Sequence, residues 1–177
     1  MAGKTPHEAL DAFIDPLQQS LSCITDAVLD TRRRSNKEYP NEKPFSITIS
    51  AGKPADLLCD SGLSLSFIMW YRIMRDDSER GQWKAVTTGY YYSLDDDHQR
   101  EIIAYHWHPS IGAIDFPHLH VEQGSGITRR ELFRAHLPTG HIALEDMILC
   151  AIRDFEVQTL RDDWMDVLTR NRAKFQT

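Results

Sequence analysis

The 177-residue chain is poor in cysteine and has no long hydrophobic segment. Its three cysteines, Cys23, Cys59 and Cys150, lie far apart without metal-ligand spacing, which predicts reduced thiols rather than a disulfide framework. No apolar run approaches the ~20 residues that a membrane-spanning helix needs. The N-terminal stretch MAGKTPHEALDAF also lacks the basic and then apolar layout of a signal peptide. We therefore expect a cytoplasmic protein that does not enter a membrane.

Positive charge is also scarce. The 20 lysines and arginines are outnumbered by 26 aspartates and glutamates, which gives a net charge of −6. This balance argues against a large electrostatic surface for nucleic acid. The basic residues are nevertheless clustered, for example at residues 32–34 and 129–130, so a local contact with RNA stays open.

Helical periodicity marks the two ends of the chain. Residues 5–8 read as a capping box with proline at the first helical position, and apolar side chains then recur at helical spacing over residues 10–28. This pattern predicts a leading helix within residues 1–34, with a kink or a fresh start at Pro16. Two further apolar stripes predict two helices within residues 143–175.

Between these ends, residues 44–122 carry the signals of an antiparallel sheet. About five segments alternate or form apolar runs, and short polar turns separate them. The segments are residues 45–50, 63–74, 83–94, 100–108 and 117–122. We therefore predict that residues 1–177 form a single α+β domain, in which the N-terminal helix and the two C-terminal helices pack on one face of the sheet.

Histidine is concentrated in one region, because seven of the eight histidines lie within residues 98–141. Four of them form two His-x-His pairs in the stretch YHWHPSIGAIDFPHLHVE, namely His106 with His108 and His118 with His120. Residues two apart on a strand share a face. If the two strands pair as a hairpin with their apolar sides toward the core, all four imidazoles converge on the opposite face, together with the carboxylate that follows them.

The other histidines are weaker candidates. His136 and His141 flank a turn that leads into a helix, and either could join the site. His98 lies in the polar turn DDDHQ, where we expect a solvated side chain.

One interpretation of the two pairs needs no cofactor. One imidazole would accept a proton from a 2′-hydroxyl group, while another would donate a proton to the leaving 5′-oxygen, as in metal-independent RNA cleavage. Cationic side chains would then bind the phosphate and stabilise its developing charge, and the candidates are Arg100, Arg129 and Arg130. This leading interpretation makes His106, His108, His118 and His120 the catalytic groups of an endoribonuclease.

Two other interpretations use the same residues differently. His106, His108, His118 and His120 with Glu122 would satisfy a zinc, iron or manganese site, for which the double-histidine arrangement of cupins is the nearest analogy. The glycine spacing of cupins is missing here. Alternatively, the histidines are structural, and the protein is a non-enzymatic subunit whose leading helix binds a partner protein.

The order of features over residues 90–155 resembles the TumE-type toxin family of bacterial toxin–antitoxin modules, or a related small bacterial family. The most specific element is FPHLHV, and the matching positions are His106, His108, Pro117, His118 and His120. The family usually has an arginine-aromatic-aspartate run where this chain has AYHW, and its members are shorter. The resemblance implies a cytoplasmic toxin that acts on RNA and is neutralised by an antitoxin partner.

Overall fold

The computed structural model describes residues 2–31, 44–77, 82–109, 114–122 and 135–175. Within these ranges the chain forms three α-helices and one nine-stranded antiparallel sheet. The helices are α1 (Pro6–Leu21), α2 (Leu144–Asp154) and α3 (Trp164–Arg172). The strands are β1 (Ala2–Gly3), β2 (Leu29–Thr31), β3 (Phe45–Ile49), β4 (Ala55–Asp56), β5 (Ser64–Arg75), β6 (Trp83–Asp95), β7 (Glu101–Trp107), β8 (His118–Val121) and β9 (Leu137–Pro138). The predicted α+β class is confirmed.

The sheet is built around two long central strands. Its order is β2-β3-β5-β6-β7-β8-β9, with β1 paired to β6 and β4 paired to β5. Strands β5 and β6, with 12 and 13 residues, alternate between buried and more exposed positions for most of their length. The five predicted segments correspond to β3, β5, β6, β7 and β8. The four additional strands have only two or three residues each, too few for side-chain periodicity to mark them.

The leading helix is shorter than predicted. Helix α1 ends at Leu21, and residues 29–31 form β2 instead of continuing the helix toward residue 34. The side chain of Gln18 supports this reversal, because its Nε2 donates to the Ala27 carbonyl at 3.0 Å and its Oε1 accepts from the Leu29 amide at 2.7 Å. The helix runs through Pro16 without a fresh start.

The start of α1 follows the sequence prediction. Thr5 is the N-cap residue, and its hydroxyl oxygen accepts a hydrogen bond from the Glu8 amide at 3.2 Å. Pro6 occupies the first helical position, where a missing backbone N–H leaves no hydrogen bond unmade. The Glu8 carboxylate in turn accepts from the Lys4 amide at 2.8 Å.

Helices α1 and α2 pack on one face of the sheet, α3 packs against both of them, and together the three helices enclose the apolar core. Tyr71, Tyr90 and Tyr92 are among the largest fully buried side chains. A buried polar contact also joins the helices: Ser20 Oγ of α1 lies 2.6 Å from Glu145 Oε1 of α2 and accepts from Asn171 Nδ2 of α3 at 3.1 Å. The helices therefore lie on one side of the sheet, and the side chains on the opposite face project away from them.

The described residues bear on the predicted absence of a membrane-spanning helix and on the predicted state of the cysteines. In this part of the chain, no helix has both the length and the apolar character required to span a bilayer. The three cysteines are free thiols, as predicted; Cys23 is buried, and Cys59 and Cys150 are half-buried.

Candidate functional site

The predicted hairpin between the two histidine-bearing strands is present. Strands β7 and β8 pair in an antiparallel manner, with His106 directly opposite His118 and Ala104 opposite His120. Because directly opposed residues project to the same face, this register places the three imidazoles side by side. Tyr105 and Trp107 project to the other face and pack against the apolar core.

The three imidazoles form a compact group. The ring centroids are 4.6 Å apart for His106 and His120, 4.9 Å for His118 and His120, and 5.5 Å for His106 and His118. Among the described residues, one ring nitrogen from each of the three lies within 4.8 Å of the others. Ligands of a tetrahedral zinc ion lie about 3.4 Å apart when Zn–N bonds are about 2.1 Å. Rotation of the rings could close the remaining difference.

The outer hydrogen bonds of two histidines leave their inner nitrogens as acceptors. His118 Nδ1 lies 2.8 Å from the Phe116 carbonyl oxygen, and since a carbonyl only accepts, Nδ1 carries the proton. His120 Nδ1 lies 3.5 Å from Glu122 Oε1, a contact that favours the same tautomer. In both rings, the Nε2 lone pair is then available to a ligand. Such contacts to a carbonyl or a carboxylate commonly orient metal-binding histidines.

The site is more enclosed than a sheet face open to solvent. His118 is only 2% exposed, and the His120 side chain is 14% exposed. The Nε2 atoms of His106 and His120 are buried and have no hydrogen-bond partner within the described part of the chain. An unpartnered buried polar atom lowers the free energy of unfolding by about 1–3 kcal/mol. A ligand at these two nitrogens would therefore stabilise the folded protein.

Burial also determines the charge of the site. Desolvation, followed by repulsion from the neighbouring imidazoles, lowers the pKa of His106 from 6.5 to about 3. Burial likewise lowers the pKa of His118 and of His120, and the proximity of His136 adds to both shifts. All three rings are therefore neutral at pH 7, the protonation state that binds metal ions.

Two more histidines border this group. The ring of His108 lies 5.8 Å from that of His106, and the ring of His136 lies 4.5 Å from that of His120. His136 reaches the site because the residues that follow it form β9, which pairs with β8. His141 does not join the group, because its ring packs against Trp107 at 4.2 Å, on the helix-covered face. His98 is solvated in the β6–β7 turn, as predicted, with 70% of its side chain exposed.

One of the three predicted phosphate-binding arginines lies within the described residues. Arg100 lies in the β6–β7 turn, where its guanidinium pairs with the Asp96 carboxylate at 2.6 Å. Arg129 and Arg130 lie outside the described residues. Arg100 is therefore the one member of this set that the described residues include, and its guanidinium is paired with Asp96.

No family model, curated protein or solved structure matches this chain. The resemblance to the TumE-type toxins stays a prediction, and a function has to be inferred from the site itself.

Sequence reasoning missed a polar group beside the histidines. Tyr91 of β6 lies opposite His106, with the two rings edge to face at 4.7 Å, and its hydroxyl contacts Glu101 of β7. Strict alternation from His106 would turn Glu101 toward the helices. A β-bulge shifts the register here, so that Ile102 and Ile103 both pack against the core and Glu101 reaches the histidine face. No sequence signal for the bulge was recognised.

Proposed function

We propose that this protein binds a divalent transition metal ion through His106, His118 and His120. The observation that carries the proposal is the convergence of three ring nitrogens, one from each histidine, within 4.8 Å of one another. Imidazole nitrogens are among the commonest metal ligands in proteins, and three of them with an open position are typical of catalytic sites.

Hydrogen bonding supports this assignment. The outer nitrogens of His118 and His120 contact the Phe116 carbonyl and the Glu122 carboxylate, and the buried Nε2 atoms of His106 and His120 have no other partner among the described residues. A metal ion would occupy those lone pairs and remove the cost of leaving them unsatisfied. Glu122 would act on the metal through His120, by raising the basicity of its ring.

The ligand set favours zinc or iron over manganese. Neutral imidazoles suit zinc and iron, whereas manganese is more often held by carboxylate and carbonyl oxygens. When bound, such an ion would polarise a substrate oxygen or activate a water molecule at neutral pH. The imidazoles of His108 and His136 border the cluster and would form part of the wall around a ligand bound there.

A metal-independent ribonuclease is the second candidate. The same face does place several imidazoles together, which acid–base cleavage of RNA requires. Two observations give it less support: burial lowers the pKa of all three histidines and so disfavours the protonated imidazole that would act as the acid, and Arg100 is paired with Asp96. This second candidate includes the proposal of a bacterial, cytoplasmic toxin with an antitoxin partner. A non-enzymatic subunit whose histidines are structural is a third, separate proposal.

Titration of the metal-free protein with Zn²⁺ in a calorimeter tests the first proposal. We expect one equivalent to bind, and we expect His118→Ala/His120→Ala to weaken binding by more than the roughly 10–100-fold that loss of an outer hydrogen-bond partner causes. His98→Ala is the matched control, because His98 is solvated, and it should bind as the wild type does. Equal Zn²⁺ affinity in all three proteins would contradict the proposal.

Expression in a bacterial host separates the two candidates. A toxin that cleaves RNA would arrest growth, and His118→Ala/His120→Ala would relieve the arrest. Normal growth with intact RNA, together with stoichiometric metal binding, would exclude the ribonuclease and leave the metal site.

A further inference from the structure

A chain of four polar side chains lies beside the histidines on the same face of the sheet. Glu101 Oε2 lies 2.5 Å from the Tyr91 hydroxyl oxygen, which lies 3.1 Å from Ser93 Oγ. Ser93 Oγ then donates to Asp95 Oδ1 at 3.0 Å. The other oxygen of Asp95 accepts from Ser66 Oγ at 2.7 Å. The chain therefore joins two carboxyl groups through two hydroxyl groups.

The number of protons in this chain can be counted from its geometry. Both oxygens of Asp95 accept from serine hydroxyls, which is the arrangement of a carboxylate. The single proton of Ser93 is thereby committed to Asp95, so the contact between Ser93 and Tyr91 requires the Tyr91 proton. The 2.5 Å contact between Tyr91 and Glu101 then needs a proton from Glu101. All three contacts are hydrogen bonds only if the chain holds one carboxylic proton.

The alternative, with both carboxyl groups ionised, leaves one contact without a proton. If Tyr91 donated to an ionised Glu101, the oxygens of Tyr91 and Ser93 would face each other at 3.1 Å with no hydrogen between them. Ser93 is completely buried and Asp95 is 8% exposed, so water has little access to repair this contact.

The charges around Glu101 also favour its acid form. Burial, with repulsion from Glu122 and Asp95, raises the pKa of Glu101, although its contact with the Tyr91 hydroxyl acts in the opposite direction. The cation next to it in sequence, Arg100, is paired with Asp96. The groups that act on this carboxyl from β6 and from the end of β8 are Tyr91, Asp95 and Glu122, which are neutral or acidic.

We propose that Glu101, Tyr91, Ser93 and Asp95 form a proton-transfer chain that holds one proton on Glu101 and can pass it to Asp95. In the transfer, the Glu101 carboxyl gives its proton to the Tyr91 oxygen, Tyr91 gives its own proton to Ser93, and Ser93 gives its proton to Asp95 Oδ1. The products are a Glu101 carboxylate and an Asp95 carboxylic acid, with both hydroxyl groups restored. No oxidant, reductant or further reactant is needed.

The chain is placed to serve the histidine site. The ring of Tyr91 packs against that of His106 at 4.7 Å, so the relay runs along the edge of the proposed metal site. Its use as a source or acceptor of protons for chemistry at that site rests on the proposed function. The presence of the proton does not, because none of the four residues is among the three proposed ligands.

Infrared difference spectroscopy on the metal-free protein tests the proposal. At pH 7 we expect a carbonyl stretch of a carboxylic acid in the wild type and its loss in Glu101→Gln. The glutamine amide can donate to Tyr91 as the acid does, so we expect a melting temperature within about 2 °C of the wild type. No such band in the wild type would overturn the proposal, as would a band that persists in Glu101→Gln and disappears in Asp95→Asn.

Tyr91→Phe provides a second test that does not depend on the folding of Glu101→Gln. It removes the central hydroxyl and keeps the ring against His106, so the carboxylic band should remain and shift in frequency. An unshifted band would show that the proton belongs to another carboxyl and would overturn the chain. Zn²⁺ titration of the same proteins is read separately, so a failed metal site with a present carboxylic band would reject only the proposed function.

Discussion

The two faces of the sheet use the same strands for different purposes. On the helix-covered face, β6 and β7 present Tyr90, Tyr92, Leu94, Tyr105 and Trp107, which pack into or against the core. On the opposite face, most alternate residues of the same strands are polar, namely Tyr91, Ser93, Asp95 and His106. One side is stabilised by excluding water from apolar groups, and the other carries buried polar atoms that need partners.

This difference separates stability, which depends on the helix-covered face, from the proposed function, which depends on the histidine face. On the apolar face, polar groups are isolated: the Tyr90 hydroxyl accepts from the Ile142 amide at 2.9 Å, and the buried Tyr92 hydroxyl has no hydrogen-bond partner among the described residues. On the histidine face, buried Nε2 atoms of His106 and His120 lack a partner among the described residues. An external ligand would satisfy these two neighbouring imidazole nitrogens.

The largest effect should come from the apolar face. Leu94 is completely buried, so Leu94→Ala should lower the free energy of unfolding by about 2–5 kcal/mol. Denaturant unfolding measures the loss, and it should be equal with and without Zn²⁺. Leu160→Ala is a control, since Leu160 is 41% exposed and should cost much less. A loss at Leu94 that vanished on adding Zn²⁺ would mean that the two faces are not separable.

The next effect belongs to the histidine face. Zn²⁺ at 100 times its dissociation constant should stabilise the wild type by about 2.7 kcal/mol, because it binds the folded state. His118→Ala/His120→Ala should lose this increment, whereas Leu94→Ala should keep it. Thermal unfolding with and without the metal gives the comparison. An increment that survives in the double-histidine variant would place the metal elsewhere.

A smaller effect is expected from the hydrogen bond that joins the apolar face to the loop before α2. Tyr90→Phe keeps the buried ring but leaves the Ile142 amide without its acceptor. The expected cost is about 1–3 kcal/mol, from the desolvated donor. Unfolding by denaturant would report it, and a change below about 0.5 kcal/mol would mean that water replaces the hydroxyl.

The pH dependence of stability should also distinguish the two faces, with a small effect for each pH unit. The pKa of His106 is lowered to about 3 in the folded protein, against 6.5 for the free side chain. As pH falls below 6.5, the unfolded chain takes up a proton that the folded site refuses, so stability should decline between pH 6.5 and about 3, by less than about 1.4 kcal/mol for each pH unit from this group. In metal-free His106→Ala the decline should be shallower, and an identical slope in both proteins would contradict the assignment.

Much of the fold could be predicted because it follows from side-chain periodicity. The alternation of Tyr105 and Trp107 with His106 and His108 determined the direction of each side chain, and short polar turns indicated antiparallel pairing. The strands that were missed contain two or three residues and form through backbone hydrogen bonds, which leave no pattern in the sequence. The end of α1 was placed too late because apolar residues after Leu21 continue into a turn and β2.

The site was predicted as far as it depends on a period of two. His106, His118 and His120 converge, and Glu122 lies next to His120, as the hairpin required. The contribution of Glu101 depends on a bulge, and that of Tyr91 on the register with which β6 meets β7. The enclosure of the rings, which lowers their pKa values, depends on packing between distant segments. These features arise from tertiary structure, which local sequence patterns do not encode.

X-ray absorption spectroscopy at the zinc edge, on the zinc-loaded protein, tests the central claim most directly. Scattering from at least three imidazole rings at about 2.0–2.1 Å from the metal is the predicted result, with fewer rings in His118→Ala/His120→Ala and no change in His98→Ala. A first coordination sphere of oxygen atoms without imidazole scattering would contradict the account.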